Sequence, residues 1–503
     1  MNFSGTSDIC LILEGTYPYV AGGVSSWAHQ LILAQSHLSF ELVCLMPEKA
    51  DLTLRYPLPP NVVRVTNIPV GVLPAGEARL RGTRGLMERL ERPLLALQSG
   101  GGLAELIAIL QEFRPIRSKL GRRVLLNSPE AWELTLRMYE KTQAESAFLD
   151  YFWSWRTIFG GLYSMLLCEL PQARVYHALS TGYAGLFASR AHLETGRPVL
   201  LTEHGIYTNE RRIEIAMADW LYQPPETALN IEKSPRDLRP MWFDAFRAYS
   251  RACYQASSRI ITLYSGNQQF QLADGAPPEK LQIIPNGIDC WRFSNLSAAR
   301  SSHPPTIALI GRVVPIKDIK TFIRATAILR EILPELQSLV LGPADEDPSY
   351  LAECKVLVNH LGLEGCLKFV GPVSVPDHLP QLDVVVLTSI SEAQPLVILE
   401  AGAAGVPCVA TDVGACREMI YGAPGENPCL GAGGEVTPLA NPTATAHALA
   451  RLLLDPGYWE SASRTLQERV RRYYDRAALD RSYRDLYEYW RAAPSSGAWG
   501  EAA

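Results

Sequence analysis

The run 389–410, S-I-S-E-A-Q-P-L-V-I-L-E-A-G-A-A-G-V-P-C-V-A, restricts the fold of this 503-residue chain more than any other stretch. An apolar segment, 384–387, precedes it; the run then reads as polar loop, helix over 395–404, stop at Gly405 and a new strand. A strand, helix, strand unit of this length joins parallel strands and lays its helix on a sheet face. Glu392 stands just outside the helix N-terminus and Glu400 about two turns beyond Glu392. The first-turn amides lack intrahelical partners and sit at the positive end of the helix dipole, where a phosphate is the natural occupant. An acid beside an anion site is unfavourable unless it serves a neutral group, and sugar hydroxyls suit carboxylate acceptors. A nucleotide sugar carries both parts.

The rest of the chain repeats the alternation. Apolar runs at 9–13, 40–45, 62–65, 175–177, 199–202 and 260–263 read as strands of one parallel sheet, and those at 306–310, 337–341, 367–370, 384–387 and 408–410 as strands of another. At this length two cores are expected. From 73 to 167 the pattern is helical, with Leu103, Leu106, Ile107 and Leu110 on one face and Ser128-Pro129-Glu130 as a helix start. Residues 77–123 hold ten Lys or Arg against five Glu, a solvated face or a docking surface for a protein or anionic headgroups. A polar loop is expected over 219–237, a tight turn at Asn286-Gly287, a linker over 295–305 and a last helix with Leu479, Tyr483, Leu486, Tyr487 and Trp490 on its apolar face.

A formal charge of -5 argues against nucleic acid as a partner, since phosphate-backbone binding needs a basic surface. Ten scattered cysteines without zinc-ligand spacing fit a reducing compartment, and no signal or membrane-spanning segment is apparent, so a cytoplasmic place is expected. Candidate chemistry collects at the C-terminal ends of strands, where open parallel sheets bind ligands. Gly22 and Gly23 follow the first strand and let backbone approach a ligand. His204 follows the strand at 199–202, and His177 shares that edge. In Gly311-Arg312-Val-Val-Pro-Ile-Lys317, Arg312 can grip phosphate oxygens through paired donors and Lys317 adds a point charge.

The spacing E-x7-E followed by A-x3-G-V-P-x-V-A-T resembles the retaining glycosyltransferases of family four. The resemblance implies an α/β protein of GT-B fold, two Rossmann-like domains facing across a cleft. It implies an acceptor domain over 1–295 with the helical insert at about 73–167, a nucleotide-sugar domain over 304–475, and a terminal helix, 476–492, crossing back to the first domain. It makes Glu400 the ribose-binding carboxylate, Glu392 the acid on donor-sugar hydroxyls, and Leu396 and Val397 the amides on the β-phosphate. Arg312 and Lys317 take the diphosphate, Gln394 reads the sugar, Gly22 and Gly23 lie beside diphosphate and acceptor, and His204 acts near the reacting carbon. Asp318 departs from the usual glycine after the lysine. Ala393-Gln394-Pro395 replaces the usual G-F-G, and the fixed φ of Pro395 suits a first helical position.

Transfer with retention is implied, the cations and the helix dipole stabilising charge on the departing diphosphate. These cations make a metal at Asp345-Glu346-Asp347 unnecessary, so no metal and no tightly bound cofactor is expected. A UDP-sugar, either UDP-glucose or a UDP-N-acetylhexosamine, is the donor that the resemblance implies. A narrower resemblance comes from Y-P-Y-V-A-G-G-V-S-S-W, T-E-H-G-I-Y-T-N-E-R at 202–211 and the long insert, which are similar to the cytoplasmic glycosyltransferases of the bacterial Pel exopolysaccharide system, a biofilm polymer. It implies a polysaccharide acceptor and inner-membrane synthase components as partners, with the protein peripheral to that membrane. A nucleotide-sugar 2-epimerase would share the fold but needs a different acid-base set. A catalytically silent binding subunit would not need Arg312, Lys317, Glu392, Glu400 and His204 together.

Overall fold

Strands form where the apolar runs predict them, and the central ones are buried because helices cover both faces of the sheets. The computed structural model describes residues 5–216, 237–293, 296 and 303–494. Two compact units emerge, one from residues 1–262, 268–282 and 483–503 and the other from 263–267 and 283–482. All but the last residue of the expected loop 219–237, and most of the linker 295–305, lie outside the described residues.

The first unit is built on a seven-stranded sheet: β1 (Ser7–Glu14), β2 (Phe40–Met46), β3 (Val62–Pro69), β4 (Ala173–Ala178), β5 (Val199–Glu203), β6 (Arg259–Thr262) and β7 (Leu281–Ile283), in the order β3-β2-β1-β4-β5-β6-β7. The pairings of β1 with β2 and β4, and of β5 with β4 and β6, are all parallel. Central strands shielded on both faces read as unbroken apolar runs, and Ile9 to Leu13 are fully buried.

Between β3 and β4 the chain forms four longer helices, Thr83–Leu97, Leu103–Phe113, Pro129–Thr142 and Phe148–Leu167. Ser128 caps the third, accepting from Ala131 N at 3.0 Å with Pro129 at its first turn. Leu86, Leu90, Leu94 and Leu97 fall on one face of the first helix and are buried. They pack into the same apolar cluster as Cys10, Ile12, Val43 and Tyr176 of the sheet. The insert is therefore a layer of the first unit's core. Its basic excess is partly neutralised within the unit: Arg84, Arg89, Arg117 and Lys119 are each ion-paired with a glutamate. The helix Arg476–Ala492 buries Tyr483, Leu486 and Tyr487, and Tyr487 Oη bonds His177 Nδ1 at 2.7 Å within the first unit.

The second unit carries β8 (Thr306–Ile310), β9 (Gln337–Leu341), β10 (Leu367–Gly371), β11 (Val384–Leu387), β12 (Cys408–Thr411) and β13 (Gly434–Thr437), ordered β10-β9-β8-β11-β12-β13 and parallel throughout. One correction concerns 284–287. The Asn-Gly signal predicts a tight turn, but no turn forms there, and neither Asn286 nor Gly287 has positive φ. Glycine is needed at 287 for closeness: a Cβ there would lie 2.7 Å from Leu479 Cδ1 and 3.0 Å from Tyr474 O. No helix among the described residues is long and apolar enough to cross a membrane.

Candidate active site

Both sheets reverse their strand order beside the first strand of each unit, between β1 and β4 and between β8 and β11. Loops leaving the carboxyl ends of such strands diverge and open a crevice for a ligand. Most residues singled out from the sequence lie on these loops, on the helices they lead into, or on the loop after β5, which neighbours β4.

In the second unit the loops after β8 and β11 are tied together. Ile390 N donates to Ile316 O at 2.8 Å, and Thr388 Oγ1 donates to Lys317 O at 3.0 Å and Asp318 O at 2.9 Å. This brings Lys317 Nζ onto Glu392 Oε1, an ion pair whose side chains are 19% and 13% exposed. Asp318 takes the left-handed conformation, φ 44°, and its carboxylate accepts from Thr321 N at 3.2 Å, capping the helix Ile319–Ile332. Aspartate thus supplies the conformation expected of glycine and adds a cap. Arg312 turns instead to Glu346, its Nη1 lying 2.7 and 2.6 Å from the two carboxylate oxygens. Asp347 caps the helix Pro348–His360 through Tyr350 N at 2.9 Å, so Glu346 and Asp347 each have a protein partner.

The helix Leu396–Ala403 begins one residue later than expected: Pro395 is its N-cap, with ψ 114°, and no side chain caps it. Pro395 follows Gln394 with an extended geometry outside the first turn, so the loss of its N–H costs the helix nothing. Leu396 and Val397 supply the first two helical amides. Glu400 lies one turn inside; burial pushes its carboxyl up, and Arg292 nearby opposes the shift. A neutral hydroxyl suits such a group better than a second charge. The loop before the helix rests on Gly414, where a Cβ would lie 2.1 Å from Glu392 O, and Ala415 N donates to Ala393 O at 2.8 Å. Gly414, Thr388, Glu346 and Asn286 were not legible as parts of this site. Only contacts across 22 to 108 residues reveal them.

In the first unit Gly22 and Gly23 open the helix Gly23–Ala34. Gly22 is extended, and a Cβ on either residue would meet nothing within 4 Å. The unit itself does not require glycine there. The neighbouring helix start, Tyr183–Thr195, is taken by the chain's own Glu14, which accepts from Ala184 N and Ser180 Oγ at 3.1 Å and from Tyr207 Oη at 3.0 Å. His177 is a satisfied core histidine: its second nitrogen bonds Thr202 Oγ1 at 2.8 Å, and burial, with His204 nearby, lowers it to about 3. His204 differs. It packs edge-on against Trp27 at 4.6 Å, burial lowers it to about 4, and its buried Nε2 has no partner among the described residues. Glu203, overlooked in the sequence, accepts from Tyr254 Oη at 2.7 Å and Gln271 Nε2 at 2.8 Å, while burial pushes it up to about 7. An acid closing the apolar run V-L-L-T-E is the signal that could have marked it.

Residues 7–279 match the family model described as "Domain of unknown function (DUF3492)", and residues 304–455 match "Glycosyl transferases group 1". Relatives include the D-inositol 3-phosphate glycosyltransferases of Kribbella flavida, 28% identical over 229 residues (42% of this chain, 50% of that one), and Salinispora arenicola, 30% identical over 244 residues (43% and 50%). The chain spans about half the length of these relatives. The fold is shared with Anabaena Alr3699/HepE in complex with UDP and glucose, at TM-score 0.54 and 14% identity over 96% of this chain and 99% of that one. It is shared also with sucrose-phosphate synthase from Thermosynechococcus elongatus, at TM-score 0.56 and 18% identity over 96% and 100%. These two-sheet α/β structures have the GT-B architecture.

Proposed function

We propose, for a chain that belongs to the DUF3492 family and whose second unit matches the group 1 glycosyl transferases, that it is a retaining glycosyltransferase using a UDP-sugar. The observation that carries this reading is the second unit's switch point: Lys317 and Glu392 paired there, Arg312 five residues away, and an uncapped helix start ahead of Glu400. Cations and first-turn amides suit a diphosphate, while Glu392 and Glu400 suit sugar and ribose hydroxyls. Negative charge grows on the leaving oxygen as the glycosidic bond breaks, and preorganised donors stabilise it there. The acceptor hydroxyl attacks from the same face and passes its proton to the departing phosphate. By the family resemblance His204, neutral at physiological pH, acts near the reacting carbon, and its buried Nε2 has no partner among the described residues.

Anabaena Alr3699/HepE, which shares the fold, binds UDP and glucose, which supports the nucleotide. The Pel-like sequence runs support a hexose or N-acetylhexosamine passing to a growing exopolysaccharide, in the cytoplasm beside inner-membrane synthase components. Calorimetric binding of UDP, ADP and GDP to wild type and Arg312→Ala tests the donor site. UDP is expected to bind, and the variant to lose roughly 10- to 100-fold, as for a charged hydrogen bond. Preference for ADP would move the enzyme outside the Pel-like group, and absence of any nucleotide binding would leave a silent subunit.

A further inference from the structure

The helical insert of the first unit carries a surface that its own core does not use. Glu77 N donates to Lys119 O at 2.9 Å, Arg122 N to Pro74 O at 2.9 Å and Arg123 N to Ala75 O at 3.1 Å. These bonds hold the segments 74–77 and 119–123 side by side, and Arg79, Arg81, Arg122 and Arg123 project from this region exposed. None of the four has an ion pair among the described residues. A cleft of about 540 Å³ has Arg79, Arg123 and Asn127 among its walls. Asn127 Oδ1 accepts from Arg156 Nη2 at 2.9 Å, and the Arg156 guanidinium lies 5.4 Å from the centre of the Phe152 ring. Phe152 in turn packs on Trp132 at 5.4 Å, Trp153 at 5.2 Å and Phe148 at 6.1 Å. Trp153 is 59% exposed, Leu149 one turn before it 63%, and Trp132 45%. Basic cleft and aromatic cluster are thus continuous through Arg156. The acids among them are few: Glu133 pairs with Arg84 at 3.7 Å, which leaves Glu130 and Asp150 against five arginines.

We propose that this face docks directly onto an anionic phospholipid bilayer, its arginines on lipid phosphates and Trp132, Leu149 and Trp153 in the boundary between headgroups and acyl chains. Large apolar side chains gathered at a surface mark a contact with something else. Indole rings suit the bilayer boundary, with their apolar bodies in the lipid and their N–H groups in the wet layer, and arginines beside them meet an array of anionic groups. A single small anion would engage the cleft and leave the aromatic cluster in water. The chain as a whole carries a charge of -5, so its net charge does not draw it to an anionic membrane, and the attraction has to come from a local excess of this kind. The inference is independent of the UDP-sugar reading.

The experiment is flotation of the full chain with vesicles of phosphatidylcholine alone and with vesicles containing three parts in ten phosphatidylglycerol. Wild type is expected to float with the anionic vesicles only, and to be released as salt rises. Each cation near an anionic surface adds roughly five-fold, so Arg79→Gln with Arg123→Gln should lower partition by roughly 25-fold. Trp153→Ser should lower it by roughly ten-fold at any salt concentration, because it removes apolar contact and no charge. All three side chains are exposed, so the variants keep the fold, and unchanged UDP affinity and circular dichroism verify this. Wild type that ignores both kinds of vesicle overturns the proposal and leaves the face to a protein partner. Equal binding to both kinds of vesicle overturns it, and so does binding that survives in the double arginine variant and in Trp153→Ser, since another surface would then carry it.

Discussion

Arg312 and Lys317 meet any ligand already partnered, the first by Glu346 and the second by Glu392. Each cation was legible in G-R-V-V-P-I-K, but its partner was not, because Glu346 and Glu392 arrive from loops 34 and 75 residues away. The Arg312 pair is half exposed on both sides, and exposed pairs contribute about 0.2–1 kcal/mol. A diphosphate that draws Arg312 away from Glu346 gives up that amount. Glu346→Gln is therefore expected to tighten UDP binding by roughly 1.4- to 5-fold, with the gain shrinking as salt rises. Calorimetric titrations at low and high ionic strength measure it. Weaker binding in the variant would instead mean that Glu346 holds the guanidinium in its productive direction.

Elements were legible where one physical cause dominates. Parallel strands shielded on both faces must be apolar along their length, so β1, β2, β8 and β11 announce themselves. Sites where two causes compete were misread. Asn286-Gly287 carries a turn signal, yet Gly287 is there because Leu479 and Tyr474 leave no room for a Cβ. Asp318, a departure from the usual glycine, answers two local demands at once. It takes the left-handed conformation and caps Ile319–Ile332. Asp318→Ala loses the cap while keeping the strained backbone, and is expected to destabilise by about 1–2 kcal/mol. Asp318→Gly loses the same cap but relieves the backbone, so its stability should stay within about 1 kcal/mol of wild type. Urea unfolding midpoints of the two variants distinguish these effects, and equal losses would show that the left-handed backbone costs nothing.

At the scale of the whole molecule, stability against pH is set by buried groups whose protonation differs between the folded and unfolded chain. Periodicity in the sequence locates a core but does not say which titrating side chains it encloses. In the first unit these include Glu203, raised from 4.5 to about 7, and His204 and His177, lowered from 6.5 to about 4 and about 3. The two histidines contribute stability that is complete above pH 6.5 and is lost as pH falls, because the unfolded chain binds their protons first. Glu203 has the opposite sign. Its contribution is complete below pH 4.5 and is lost as pH rises to about 7, because the folded chain holds a proton that the unfolded chain releases. Gln cannot titrate, so Glu203→Gln removes this term and leaves every other group's pH dependence in place. The stability of Glu203→Gln relative to wild type should therefore climb between pH 4.5 and 7 by up to about 3 kcal/mol, whatever fixed cost the altered hydrogen bonds to Tyr254 and Gln271 impose. Denaturant unfolding of both proteins across that range gives the difference directly. A difference that stays level with pH would mean that Glu203 is ionised in the folded chain, its four donors outweighing its burial.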